Sequence, residues 1–141
     1  MAACLPEPVT PTPRHHCWLP RSRRSPGDAR RQLRRFLAQL DGGSRFSDTA
    51  ELVLTELVTN AWQHGTRAGQ RIWVGFEHDG TADLLYLAVE DASDAKPVPR
   101  PATGDREAGR GLLLVAELAR EWGCGPRNGV GKRVWVVIAP G

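Results

Sequence analysis

Between Glu56 and Gly65 the chain reads Glu-Leu-Val-Thr-Asn-Ala-Trp-Gln-His-Gly. A spacing of four residues sets Glu56, Asn60 and His64 on one face of a helix. A carboxylate, a carboxamide and an imidazole in line suit metal and water chemistry. The amide oxygen is a hard neutral ligand for Mg²⁺ whose shell phosphates complete, and the carboxylate can orient a nucleophile and take its proton. The same three residues also fit a solvated polar face. Asp91 closes an apolar run in Val89-Glu90-Asp91-Ala92-Ser93-Asp94. There it could accept a hydrogen bond from the exocyclic amine of a base, or simply begin a turn. Gly109-Arg110-Gly111 stands directly before an apolar helical run. Its glycines would let backbone approach a ligand, and the helix start would offer amides and a positive dipole to phosphate, though such a tripeptide is common.

The elements that must position these residues follow from periodicity. Ser25-Pro26-Gly27-Asp28 reads as a helix start, with Ser25 as N-cap and Pro26 at the first position. Ala29, Leu33, Phe36, Leu37 and Leu40 form its buried stripe, and Arg30, Arg31, Arg34 and Arg35 its other face. Those arginines fit either a solvated face or a docking surface for an acidic protein. A second helix runs from about Ser47 to His64, with Leu52, Val53, Leu57, Ala61 and Trp62 inward. Arg71 to His78 and Ala82 to Glu90 read as a hairpin around Asp79-Gly80. A third helix spans Leu112 to about Trp122, a glycine-rich connection follows from Gly123 to Gly131, and Val134 to Ile138 is a core strand. Cys17-Trp18-Leu19 suits an edge strand ended by Pro20. The order predicts an α+β two-layer sandwich, with helices on one face of a mixed or antiparallel sheet.

At 141 residues and 15.5 kDa the chain has room for one domain. Its three cysteines form no C-x-x-C pair, which argues against a disulfide framework or zinc site. No run approaches the ~18 apolar residues of a membrane span, and the Pro-rich start has no apolar leader segment, which suits a soluble, cytoplasmic protein. The formal charge of +3 is unevenly placed. Residues 1–35 carry eight arginines against Glu7 and Asp28, a net +6, and the remaining 106 residues sum to −3. The basic pI therefore belongs to one end of the chain and is a poor argument for direct nucleic-acid binding.

Taken together and in this order, the three chemical features resemble the nucleotide-binding boxes of the GHKL (Bergerat-fold) ATPase superfamily. The likeness is to its small single-domain branch, the anti-sigma-factor serine-protein kinases and their actinobacterial relatives. Glu56-x-x-x-Asn60-x-x-x-His64-Gly65 is similar to the N box, Asp91 with Ser93 to the first glycine box, and Gly109-x-Gly111-Leu112 to the second. The resemblance runs from about Ser25 to Ile138. Residues 1–14 lie outside it and read from their prolines as a flexible tail, while the resemblance implies 15–141 as an ATP-binding domain whose lid lies at about 92–108. It further implies Glu56 as general base, Asn60 as the Mg²⁺ ligand and Asp91 as the adenine contact. Gly109, Gly111 and the amide of Leu112 would hold phosphate, and Arg106 or Arg110 would reach the γ-phosphate. ATP and Mg²⁺ are the implied cofactors, a sigma factor or an antagonist protein the implied partner, and a homodimer the implied assembly. The first glycine box departs from the family's D-x-G-x-G, since Asp91-Ala92-Ser93-Asp94-Ala95 has no glycine. That loss of backbone freedom keeps open a second class of function, a nucleotide-responsive binding module with weak or no transferase activity.

Overall fold

The computed structural model describes residues 12–66, 69–92, 107–127 and 131–141, with residues 107–111 described by their backbone alone. Five strands form one sheet: β1 (Arg14–Pro20), β2 (Arg71–Asp79), β3 (Leu84–Asp91), β4 (Glu121–Pro126) and β5 (Lys132–Ile138). All pairings are antiparallel, in the order β1-β2-β3-β5-β4. Three helices, α1 (Ser25–Ala38), α2 (Ser47–Asn60) and α3 (Glu107–Leu118), pack on one face. The expected α+β two-layer fold is thus present in its fully antiparallel form.

Alternation along the strands builds the floor of the core. Ile72, Val74 and Phe76 of β2, Leu85, Leu87 and Val89 of β3, and Val134, Val136 and Ile138 of β5 are all buried against the helices. Ala29, Leu33, Phe36 and Leu37 of α1 meet them from above, as the stripe predicts. At roughly 1.5–3 kcal/mol for each large side chain fully buried, these contacts outweigh any helix propensity. On the opposite face the ring of Trp73 lies over Gly75 and that of Trp135 over Gly123, where a Cβ would come within 2.3 Å and 2.5 Å of ring atoms.

Several boundaries differ from expectation. Ser25 does not cap α1. It sits inside the first turn, fully buried, and its hydroxyl donates to the Pro20 carbonyl at 2.5 Å, pinning the helix start to the end of β1. The helix ends at Ala38 rather than Leu40. A 3₁₀ turn, Gly43–Phe46, precedes α2. Trp122, Gly123 and Gly125 are strand, not helix end and connection. In β4, Trp122 and Cys124 pack on the core while Gly123 leaves space for the Trp135 ring of its partner strand. Edge strand β1 begins at Arg14, next to Pro13, and ends in Pro20. The other edge, β4, ends in Pro126.

The hairpin end of the sheet is held by charge. Asp79 Oδ1 accepts from the amides of Thr81 and Ala82 at 2.9 and 3.0 Å, and Asp83 turns the chain with φ 54°. Arg45 grips Asp83 through two hydrogen bonds of 2.7 and 3.0 Å, and the buried His78 reaches the same carboxylate at 3.3 Å. The Gly141 amide donates to the Arg45 carbonyl, so hairpin, α1–α2 connection and C-terminus meet at one point. Hydrogen bonding from Arg45, and then from His78, holds the Asp83 carboxyl below the usual carboxylate range. A lowered folded-state pKa stabilises above the unfolded value, and that contribution is lost as pH falls through the folded one. Asp83→Asn keeps the left-handed backbone accessible and removes the charge. The variant is expected to melt below wild type at neutral pH, with the difference closing as pH falls below about 3.9, read by thermal denaturation across pH.

Candidate functional site

The buried stripe of α2 consists of Ala50, Val53, Leu54, Leu57 and Val58, continued by Ala61. It is rotated by about one position from the expected one. Leu52 stands 42% exposed and Trp62 is half-buried. The rotation leaves Glu56 and Asn60 together at the rim of the helix layer, both half-buried.

The α-helix stops at Asn60, and Ala61–Gly65 forms a π-helical turn. His64 stands exposed on this turn, whereas Glu56 and Asn60 are half-buried. Thr66 closes the turn. Its buried hydroxyl donates to the Ala61 carbonyl at 2.9 Å, and Arg21 Nε donates to the Thr66 carbonyl at 3.0 Å.

The π turn carries Gly65 down onto the end of β3. A Cβ at this position would lie 2.2 Å from Asp91 Oδ2, so only glycine fits. Asp91 is 3% exposed. Lys132 Nζ lies 3.2 Å from Asp91 Oδ2 and balances its charge, as the Asp91↔Lys132 register of β3 and β5 arranges. Gly131, with φ 128°, lets the chain enter β5 against the Asp91 carbonyl, which a Cβ would meet at 2.0 Å. The predicted Asp91 is therefore in place beside the end of α2, but Gly65, Thr66 and Lys132 as its supports were not foreseen. The cross-strand register was the missing information. It depends on where β5 begins, and the glycine-rich stretch before it hides that start.

Asn60 provides the observation that bears on a cation. Its Nδ2 is buried and has no hydrogen-bond partner among the described residues. Rotation about the last side-chain torsion exchanges the two ends of the amide, so the oxygen can take the same position. A buried amide without a partner costs about 1–3 kcal/mol and is retained where a ligand satisfies it. No cluster of three or more His, Cys, Asp or Glu is present among the described residues. The donor set thus fits a cation held by one amide oxygen together with ligand oxygens and water, the coordination that Mg²⁺ accepts.

The second glycine box is corrected by the structure. Instead of preceding a helix at Leu112, Gly109-Arg110-Gly111 lies within α3, which starts at Glu107. Glu107 and Ala108 are good helix formers, and an acid suits the positive end of a helix. Gly109 falls in the first turn, where amides remain open. Gly111 and Leu112 lie beyond it, so their amides donate within the helix and are not free for phosphate. The side chain of Leu112 is 3% exposed in the core. Ser93, Arg106 and most of the expected lid, residues 93–106, lie outside the described residues, as does the Arg110 side chain.

A sequence model of the histidine kinase-like ATPase domain matches residues 20–138. The chain belongs to this family. The ATPase domain matches no curated protein. Its fold is similar to the crystal structure of the RsbU and RsbW domains of Rv1364c from Mycobacterium tuberculosis, with a TM-score of 0.68 and 21% identity. That match covers 93% of this chain and 33% of the other, so the chain spans about a third of its length. Among the described residues of the ATPase domain no helix is long and apolar enough to cross a membrane. Gly65→Ala in this domain is expected to cost about 1–3 kcal/mol by forcing the π turn off Asp91. Gly80→Ala, which has nothing within 4 Å, should stay within about 0.5 kcal/mol of wild type. Urea denaturation measures both.

Proposed function

We propose that the chain is a Mg²⁺- and ATP-dependent serine/threonine-protein kinase of the anti-sigma-factor type. In this reading it is a cytoplasmic regulator of transcription that binds a sigma factor or its antagonist protein as a homodimer. Residues 15–141 form the ATP-binding domain, with the lid at about 92–108. The observation that carries the reading is the buried Asn60 Nδ2, which has no hydrogen-bond partner among the described residues and lies one turn after Glu56 on α2. The family match and the fold of the RsbW-containing structure support it.

In this mechanism Asn60 would hold Mg²⁺, which when bound would supply charge neutralisation at the phosphates. Glu56 orients the acceptor hydroxyl and takes its proton. Asp91 would accept a hydrogen bond from the adenine amine, and Lys132, 3.2 Å from its Oδ2, holds the carboxylate in its buried place. The first turn of α3 at Gly109 presents open amides to phosphate, and the γ-phosphate would be met by Arg106 from the lid or by Arg110 from α3, with Ser93 of the lid beside the nucleotide.

A second function is favoured by the ion pair between Asp91 and Lys132, which already occupies part of the adenine-binding carboxylate. Together with the glycine-less first box, it supports a nucleotide-responsive binding module without physiological transfer. Incubation with γ-labelled ATP, Mg²⁺ and candidate antagonist proteins separates the two. Label on serine or threonine is expected, and it should fall by at least about 100-fold in Glu56→Ala, while calorimetric ATP affinity changes little. Asn60→Ala should weaken ATP binding in Mg²⁺ and leave the Mg²⁺-free component intact. ATP binding without label transfer would select the binding module, and full transfer by Glu56→Ala would remove the assigned base.

A further inference from the structure

The start of α1 and the end of α2 enclose an open cleft of about 550 Å³, lined by Arg23, Arg24, Arg30, Arg31, Thr59 and Trp62. Four guanidinium groups meet here with one acid to balance them, Asp28, which is ion-paired with Arg31. Arg30 donates to Thr55 Oγ1 at 3.0 Å and is held across the helix pair. The side chains of Arg23 and Arg24 have no hydrogen-bond or ion-pair partner among the described residues, and both are exposed. Further along the same helices Arg34 pairs with Glu51 at 2.6 Å, and Arg35 stands exposed outside the cleft. Of the arginine-rich face read from the sequence, Arg30 and Arg31 therefore join Arg23 and Arg24 around the cleft.

We infer that this cleft is the docking site for a short acidic segment of the protein partner. Arginine forks match carboxylates in pairs, and the exposed heads of Arg23 and Arg24 are free to make such contacts. The half-buried Trp62 adds an apolar wall for the backbone and stems between the acids. Glu51 bounds the strip on its far side, so a long polyanion such as nucleic acid would run onto a carboxylate, whereas a short segment stops before it. The position is also informative. Thr59 in the cleft and Glu56 lie three residues apart on α2, about 60° around the helix. A segment seated on the arginines therefore passes beside Glu56, where the kinase reading requires an acceptor hydroxyl. That last consequence rests on the proposed function, whereas the docking site itself does not.

Fluorescence anisotropy of labelled poly-L-glutamate with the full chain tests the site. Arg23→Glu with Arg24→Glu should raise the dissociation constant roughly tenfold or more. Arg35→Glu with Arg120→Glu makes the same change in net charge away from the cleft and should raise it less than about twofold. Arg23→Gln with Arg24→Gln should give an intermediate loss and serves should the reversed pair fold poorly. Equal weakening by the two reversed pairs would overturn the proposal, because attraction would then follow net charge alone. So would displacement of the polymer from the cleft by double-stranded DNA at lower concentration. ATP titration of the same variants should be unchanged. Failure of wild type to bind ATP would remove the kinase reading while leaving the poly-L-glutamate comparison intact.

Discussion

The buried carboxylate of Asp91 sets the terms for one whole end of the molecule. Removing a carboxylate from water costs several kcal/mol unless a cation and hydrogen bonds replace the solvent. Here Lys132 supplies the cation from the neighbouring strand, which fixes the register of β3 against β5. The helix layer must then come close without a side chain in the way, and Gly65 meets that need. An α-helix continuing past Asn60 would leave Gly65 elsewhere. The π turn, closed by Thr66, lowers it onto the carboxylate and leaves Asn60 as the last α-helical residue of α2. The position of the Asn60 amide is thus tied, through the π turn, to the buried charge of Asp91.

Much of this was legible in the chain. Alternation in β2, the apolar run of β3 and the α1 stripe gave the layers, because burial on one face leaves a periodic record in side-chain type. Glu56, Asn60 and Asp91 were visible as chemistry because polar groups interrupt apolar periods there. The rest depended on contacts distant in sequence. Ser25 has a good N-cap residue's composition, yet the Pro20 carbonyl takes its hydroxyl. Glycines at 123 and 125 read as a connection, whereas in space Gly123 is the seat of a tryptophan ring. His64 has the spacing of the helical face, yet it stands exposed on a π turn that spacing alone does not announce.

Charge is sorted by depth and by end. The exposed hairpin pole uses Arg45, Asp83 and His78 as a tie between loops and the C-terminus. Elsewhere the sheet carries pairs such as Arg133 with Glu90 and Arg14 with Glu77, which leave that surface close to neutral. The excess positive charge of the first 35 residues is consequently concentrated where α1 begins. A basic isoelectric point computed for the whole chain conceals this arrangement, since most of the surface contributes little to it.

The two outer strands have one more consequence. A sheet with free edges offers unpaired backbone to any other strand, and growth along that direction is the usual route to fibrous aggregates. Here β1 lies between Pro13 and Pro20, and β4 is a short strand with two glycines that ends in Pro126. Proline removes a donor where an incoming strand would need one, and glycine binds weakly to a pleated neighbour. The open sheet therefore resists polymerisation at both margins through its choice of residues.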